Sequence, residues 1–193
     1  MNYIIWNVNP GPKVCRLGSL QNVDKDFQLR RGISRVENWP ENACYLMDKE
    51  RKENIRIEDC LWNIDSLLIV SGKIKDILER KKLKNNEFLP VTIYNLKDRP
   101  IKEPYFILHQ TALQDCINTE ESVFERNDLD TELFSMIEKL AIEESKIDTD
   151  VFLFRMKHYP RLAIIRRNLA DAILEVGVTG FDFKEIEDFS DLD

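Results

Sequence analysis

The chain has 193 residues, with 28 basic and 35 acidic side chains and a formal net charge of −7. Hydrophobic residues make up 43% and charged residues 33%, which is typical of a soluble globular protein. No run approaches the roughly 20 apolar residues that span a bilayer, and the N-terminus lacks the pattern of a signal peptide. We therefore expect a cytoplasmic protein with no membrane partner. Its acidic balance also argues against a general nucleic-acid binder, which needs basic surface.

The first 60 residues are predicted to form a short strand followed by loops. Tyr3 to Val8 is rich in β-branched and aromatic residues, which favours a strand. Asn9-Pro10-Gly11-Pro12 ends that strand, because proline removes a backbone donor and restricts its neighbour. We expect this N-terminal region, residues 1–60, to pack on a main domain, residues 61–190, within one globular unit.

The pattern becomes clearer between residues 61 and 113. The apolar run from Leu67 to Val70 predicts a strand buried on both faces. Apolar residues near helical spacing then predict a short amphipathic helix, whose basic outer face runs from Lys73 to Lys84. Phe88 to Leu96 and Tyr105 to Leu113 are predicted to be strands that pair antiparallel across the turn at residues 97–100.

The C-terminal part is predicted to begin with the longest helix of the chain. Asp130 or Thr131 offers an N-cap, and the apolar residues from Leu133 to Ala141 repeat at three- and four-residue spacing. The elements predicted after it are a strand at Val151–Met156, a turn at residues 158–160, a strand at Leu162–Ile165, a helix at Leu169–Val176 and a strand at Phe181–Ile186.

Residues 67–91 and 162–186 form a weak internal repeat at a constant offset of 95 residues. Ile69 matches Ile164, and Phe88 matches Phe183, within the same strand–helix–strand order. Neither unit can bury its apolar face alone. We therefore predict an α+β fold with two weakly repeated strand–helix–strand units on a mixed or antiparallel sheet, plus one longer amphipathic helix.

The net charge is unevenly distributed along the chain. Residues 1–110 have a balance of +4 and residues 111–193 a balance of −11. The acidic excess lies between Glu120 and Asp150 and in the tail from Asp182 to Asp193. One interpretation is a solvated surface that aids solubility. The other is a surface that attracts a basic partner.

Few residues have the spacing of a catalytic or metal site. The four cysteines are far apart without a CxxC motif, so we interpret them as buried apolar thiols. The Asp128/Asp130 and Asp148/Asp150 pairs flank the predicted long helix and are interpreted as capping or loop carboxylates, with no metal or cofactor expected. The cysteines are Cys15, Cys44, Cys60 and Cys116.

Two other classes of function stay open. An enzyme of unrecognised type would bring His109, Cys116 and His158 into one cleft, for example with Cys116 and His109 as a nucleophilic pair. A nucleic-acid binder would use the basic helix face from Lys73 to Lys84, although this face lacks interleaved aromatic residues for base stacking.

Four segments carry a resemblance to a known family. The stretch LLIVSGKIKDILERKKLKNNEFLPVTI, residues 67–93, resembles a motif of a bacterial immunity-protein family from polymorphic toxin systems, formerly a domain of unknown function. Residues 105–118, 152–157 and 164–186 are similar to the family's later blocks. The chain departs from the family pattern at Asn85-Asn86 and Arg166-Arg167.

The resemblance implies a non-catalytic protein that binds a cognate toxin domain and protects the producing cell. Toxins of such systems include nucleases and deaminases that act in the cytoplasm, and a basic C-terminal toxin domain would be complementary to acidic surface. We therefore predict an acidic contact surface with two aromatic anchors. Its residues are Glu120, Glu121, Phe124, Glu125, Asp128, Asp130, Glu185, Glu187, Asp188, Phe189 and Asp191.

Overall fold

The computed structural model describes residues 1–192 and has a mixed α+β fold. Three α-helices accompany strands that form two five-stranded sheets and one two-stranded sheet within the described residues. No described helix is long and apolar enough to cross a membrane. The elements are β1 Tyr3–Asn7, α1 Phe27–Arg30, β2 Cys44–Leu46, β3 Cys60–Leu61, β4 Leu68–Ser71, α2 Gly72–Arg80, β5 Asn86–Tyr94, β6 Tyr105–Gln110, β7 Leu113–Gln114, β8 Val123–Arg126, β9 Phe134–Lys139, β10 Leu153–Met156, β11 Ala163–Arg166, α3 Arg167–Leu174 and β12 Asp182–Lys184.

The first five-stranded sheet combines the N-terminal strand with the C-terminal part of the chain. Its order is β12-β1-β11-β10-β7, and only the β10–β7 pair is parallel. The residues of β1 are largely buried because strands cover both of its edges and side chains pack on both of its faces. The N-terminal strand is therefore a central strand of this sheet.

The second five-stranded sheet has the order β2-β5-β6-β4-β3. The predicted antiparallel pairing across the turn at residues 97–100 is confirmed, because β5 pairs antiparallel with β6 and places Phe88 opposite Leu108. Strand β2 adds parallel to β5. The apolar run at Leu68–Ser71 is buried along its whole length, as its composition predicts.

The two segments predicted to form a repeat lie in different sheets. Strands β4 and β5 belong to the second sheet, and β11 and β12 belong to the first. The buried sides of α2 and α3, which include Ile77 and Ile173, meet in one shared apolar cluster. The α+β class is thus established, while a repeat relationship between the two segments stays a prediction.

The predicted long helix over residues 131–141 is wrong. Phe134–Lys139 is a strand, β9, which pairs antiparallel with β8. Two register shifts each leave one residue of β9 unpaired, at Ser135 and at Glu138. The buried residues of this segment consequently fall at Phe134, Ile137 and Leu140, three residues apart, which imitates helical spacing.

The two large sheets meet at a tight corner beside β3. The backbone N–H of Cys60 donates to the carbonyl of Thr179 at 2.9 Å. The Asp59 carboxylate accepts from the Ser71 hydroxyl at 2.8 Å and from the Thr179 backbone N–H at 3.2 Å. Gly180 follows with φ +97°, and a Cβ there would lie 2.1 Å from the Cys60 carbonyl oxygen. Only glycine, which has no Cβ, can lie this close to the Cys60 backbone.

A buried arginine also joins the sheets. Arg155 of β10 is 2% exposed and donates from Nε to the Gln110 side-chain oxygen of β6 at 2.8 Å. Its terminal nitrogens donate to the carbonyls of Pro160 at 2.5 Å and Ser66 at 3.1 Å. Burial away from water lowers the pKa of Arg155 to about 10.

Candidate partner-binding surface

The β8–β9 hairpin projects the largest set of predicted contact residues. Its base is closed by a bridge between Ile117 and Ile142 and by the Asn118 N–H, which donates to the Ala141 carbonyl at 2.9 Å. Phe134 and Ile137 turn inward and are buried in the adjacent core cluster. One side of the hairpin is thus fixed to the core, and its charged side chains face solvent.

An aromatic stack fixes the outer strand of the hairpin. The rings of Phe124 and Phe134 lie 3.9 Å apart at an interplanar angle of 14°. The Arg126 guanidinium lies 5.5 Å from both ring centroids and donates to the Thr131 carbonyl at 2.8 Å. Phe124, a predicted anchor, is therefore half-buried and already packed against the hairpin.

The tip of the hairpin is held by local hydrogen bonds and presents a leucine. The Asn127 side-chain oxygen accepts the backbone N–H groups of Leu129 at 2.9 Å and Asp130 at 3.1 Å. Leu129 is 98% exposed between two aspartates, Asp128 and Asp130. No helix begins here, so the interpretation of Asp128 and Asp130 as helix-capping residues is wrong.

The carboxylates of the hairpin have no internal counter-ions. Residues 120–139 contain seven acidic and two basic side chains. Within the part of the chain that the structure describes, no ion pair within 4.0 Å involves any of the seven. The seven, here called the hairpin carboxylates, are Glu120, Glu121, Glu125, Asp128, Asp130, Glu132 and Glu138.

The C-terminal tail adjoins the hairpin along β9. Asp191 accepts the Ile137 backbone N–H at 2.6 Å, and its own backbone N–H donates to the Ile137 carbonyl at 2.9 Å. Its other carboxylate oxygen accepts the Tyr159 hydroxyl at 2.7 Å. Phe189 packs beside Tyr159, with 6.3 Å between the ring centroids. The structure therefore brings Phe189 and Asp191 to the hairpin, although both already have internal contacts.

Glu185 has a different environment from the hairpin carboxylates. It forms two hydrogen bonds with Arg167, at 2.9 and 2.6 Å, and these bonds lower the pKa of the Glu185 carboxyl. Glu187 and Asp188 are exposed in the 3₁₀ turn Ile186–Asp188, which directly precedes the tail contact with β9. Glu185 thus stabilises the α3–β12 region, whereas Glu187 and Asp188 stay exposed.

Three of the six basic side chains from Lys73 to Lys84 form ion pairs. Lys73 lies 3.5 Å from Asp59, Lys75 lies 2.7 Å from Glu79, and Lys84 lies 2.9 Å from Asp150. These contacts leave less unpaired positive charge than the sequence suggests, which weakens the case for a nucleic-acid binder.

The three residues of the enzyme alternative do not form a common site. His109 is buried, and its Nε2 lies 2.9 Å from the Ile33 carbonyl oxygen. Burial lowers the pKa of His109 and raises the pKa of the Cys116 thiol to about 12, which opposes a thiolate nucleophile. His158 contacts Glu132 and Asp115 instead. Among residues 1–192, none of the three hydrogen-bonds to another.

The four cysteines lie in the packed interior of the protein. All four cysteines are buried free thiols, as their scattered spacing predicts. Residues 1–192 contain no group of three histidine, cysteine or carboxylate side chains that could hold a metal ion.

Two exposed apolar residues on the hairpin escaped the sequence prediction. Leu129 is 98% exposed and Val123 is 49% exposed. The sequence does contain a signal for Leu129, which is a single apolar residue between Asp128 and Asp130 in a polar segment. Val123 could not be recognised, because its exposure depends on the pairing of β8 with β9.

The comparison with known families gives one extensive match. A family model described as "Immunity protein family (Imm11)" matches residues 9–188. This match spans most of the chain and confirms the resemblance carried by residues 67–93 and the later blocks. No curated protein matches the chain.

Proposed function

The chain belongs to the Imm11 immunity protein family, and from this premise we propose that it is a cytoplasmic, non-catalytic protein that binds and neutralises a toxin domain. The contact surface in this proposal is the acidic side of the β8–β9 hairpin together with the adjoining tail. The toxin domain is basic, and its substrate groove is occluded by the hairpin. A nuclease fits this description best, because its groove is built to receive phosphate charge.

The observation that carries the proposal is the lack of internal ion-pair partners for the hairpin carboxylates. Seven carboxylates lie within residues 120–139, and none has an ion pair within the described chain. Mutual repulsion of like charges is unfavourable for the folded state of the isolated protein. A basic partner would relieve that repulsion without breaking any internal ion pair.

The rigidity of the hairpin supports the same role. The Phe124–Phe134 stack and the bridge at Ile117–Ile142 fix the hairpin in the free protein. Binding then costs little backbone conformational entropy, because the hairpin that carries the charged groups is already fixed. Complementary charge raises the association rate, which matters for an inhibitor that must act before its toxin does.

The direct experiment is co-expression with the toxin domain encoded beside the gene for this chain. We expect a stoichiometric complex on gel filtration, and we expect cells that express the chain to survive expression of the toxin domain. If the two purified proteins form no complex at micromolar concentration and survival does not improve, the proposed function is wrong.

A pair of charge-matched variants tests the surface. The hairpin variant replaces four carboxylates by amides, and the N-terminal variant makes the same change at four exposed glutamates elsewhere, so both change the formal net charge from −7 to −3. We expect the hairpin variant to bind about 100-fold more weakly, and the N-terminal variant to bind within about twofold of the unmodified protein. The hairpin variant carries Glu120→Gln, Glu121→Gln, Glu125→Gln and Asp128→Asn. The N-terminal variant carries Glu37→Gln, Glu41→Gln, Glu50→Gln and Glu53→Gln.

A further inference from the structure

A cleft of about 490 Å³ separates the N-terminal helix α1 from the inner side of the hairpin. Its floor is apolar and includes Leu113, Leu133 and Tyr159. Tyr159 and Phe134, which also lines the cleft, belong to the core cluster that supports the hairpin. The cleft lies beside the proposed contact surface and is separate from the outer face of β8.

One side of the cleft is positively charged and partly aromatic. Phe27 of α1 is 51% exposed, and the Arg31 guanidinium lies 5.4 Å from its ring centroid. Arg30 donates to the Asp65 carbonyl at 3.1 Å, which fixes its side chain, and Arg161 also lines the cleft. No carboxylate of residues 1–192 lies within 4.0 Å of these three guanidinium groups.

The opposite side of the cleft is negatively charged. Asp130 and Glu132 of the hairpin line it, and neither has a described basic residue within ion-pair distance. The two sides thus carry opposite charges without being joined by ion pairs. An occupant that carries charges of both signs would neutralise both sides at once.

We propose that this cleft binds an extended segment of the toxin domain, in which an apolar side chain lies between an acidic and a basic residue. The apolar side chain contacts Tyr159 and Phe27, the acidic residue pairs with the arginines, and the basic residue pairs with Asp130. This inference rests on the proposed function and adds a second contact with its own charge pattern. The outer hairpin attracts a basic surface, and the cleft recognises one segment.

The charge pattern favours a polypeptide over nucleic acid. Phosphates would be attracted by the four basic residues that line the cleft, but they would be repelled by Asp130 and Glu132. The basic residues are Arg30, Arg31, Lys157 and Arg161. A polypeptide carries both signs of charge together with an apolar side chain. Aromatic and arginine residues are also the groups that contribute most to protein–protein contacts.

The first experiment measures binding of the toxin domain to cleft variants. We expect Arg31→Glu and Phe27→Ser each to weaken binding about tenfold. The matched control is Arg99→Glu, which reverses an exposed charge in the turn at residues 97–100 and should stay within about twofold of the unmodified protein. If both cleft variants bind like the control while the hairpin variant binds weakly, the cleft inference is overturned and the proposed function stands.

The second experiment needs no toxin and uses the isolated full chain. Backbone amide NMR spectra are recorded during titration with a peptide that contains Glu, Leu and Lys at alternate positions between glycines. We expect saturable shifts at Leu113, Asn127 and Leu133, and no such shifts when Leu is replaced by Gly. The proposal is overturned if millimolar peptide gives no saturable shifts, or if a single-stranded DNA oligonucleotide gives saturable shifts instead. Either outcome overturns it regardless of the result with the toxin domain.

Discussion

Carboxylates have different roles in two regions of this molecule. At the corner between the two large sheets, Asp59 accepts hydrogen bonds from Ser71 and Thr179. In the β8–β9 hairpin, the seven carboxylates have no ion-pair partner within residues 1–192. The contrast shows that the local environment, rather than the net charge of the chain, distinguishes a structural carboxylate from one free to meet a partner. Changes at the corner should alter stability, and changes on the hairpin should alter binding.

The largest expected effect lies at the corner. Gly180→Ala places a Cβ 2.1 Å from the Cys60 carbonyl oxygen at a φ of +97°, so we expect the free energy of unfolding to fall by more than about 3 kcal/mol. Urea unfolding followed by circular dichroism measures this loss. The control is Gly177→Ala, where φ is +71° and no atom lies within 4 Å of the added Cβ, with an expected loss of about 1 kcal/mol. Equal losses in the two variants would contradict the close contact between position 180 and the Cys60 carbonyl oxygen.

Asp59→Ala tests the corner without a backbone clash. The side chain is 12% exposed and its removal leaves the Ser71 hydroxyl and the Thr179 N–H without their partner, so we expect a loss of about 2 kcal/mol. Affinity for the toxin domain, measured under conditions where the variant is folded, should stay within about twofold. A large loss of affinity with unchanged stability would contradict the assignment of stability to the corner and of binding to the hairpin.

Acidification provides a third test, because His109 lies inside the second sheet. Burial lowers the pKa of His109 below its ordinary value of 6.5, so the unfolded chain binds a proton at a pH where the folded chain does not. The contribution of His109 to stability is therefore complete above pH 6.5 and is lost as the pH falls below that value. We expect His109→Gln to make the pH dependence of the unfolding free energy shallower in this range. An unchanged slope would show that His109 does not titrate differently in the two states.

The smallest expected effect is at Glu185. This carboxylate is paired with Arg167 and is half-exposed, and solvent weakens such pairs. We expect Glu185→Gln to shift the urea midpoint less than Gly177→Ala does, and to leave toxin affinity within about twofold because the carboxylate is already occupied. If Glu185→Gln weakens binding as much as the hairpin variant, the contact surface extends to β12.

Much of the framework is visible in the sequence. The run from Leu67 to Val70 and the segment from Val151 to Met156 correspond to buried strands, and α2 and α3 correspond to predicted amphipathic helices. Each is short, regular and built from local periodicity, which sequence patterns describe well. Strand β12 is shorter than predicted because Ile186 begins a 3₁₀ turn.

The candidate surface was only partly accessible to sequence reasoning. The acidic excess drew the prediction to residues that the structure places on an exposed hairpin, and their role as a contact surface stays a prediction. The two bulges in β9 gave its buried residues helical spacing, so the strand was predicted as a helix. The contact of Asp191 with Ile137 joins positions 54 residues apart, and the cleft joins α1 to the hairpin across an even longer separation. Such contacts depend on tertiary packing, which local patterns do not encode.

The most direct test of the account is the salt dependence of the association rate between this chain and the toxin domain. Stopped-flow measurements would compare the unmodified protein, the hairpin variant and the N-terminal variant from about 0.1 M to 1 M NaCl, over which the Debye length falls from about 10 Å to about 3 Å. We predict that the rate falls at least about tenfold for the unmodified protein and the N-terminal variant, and much less for the hairpin variant. Equal salt dependence for the two charge-matched variants would contradict the claim that the free carboxylates of the hairpin guide the partner.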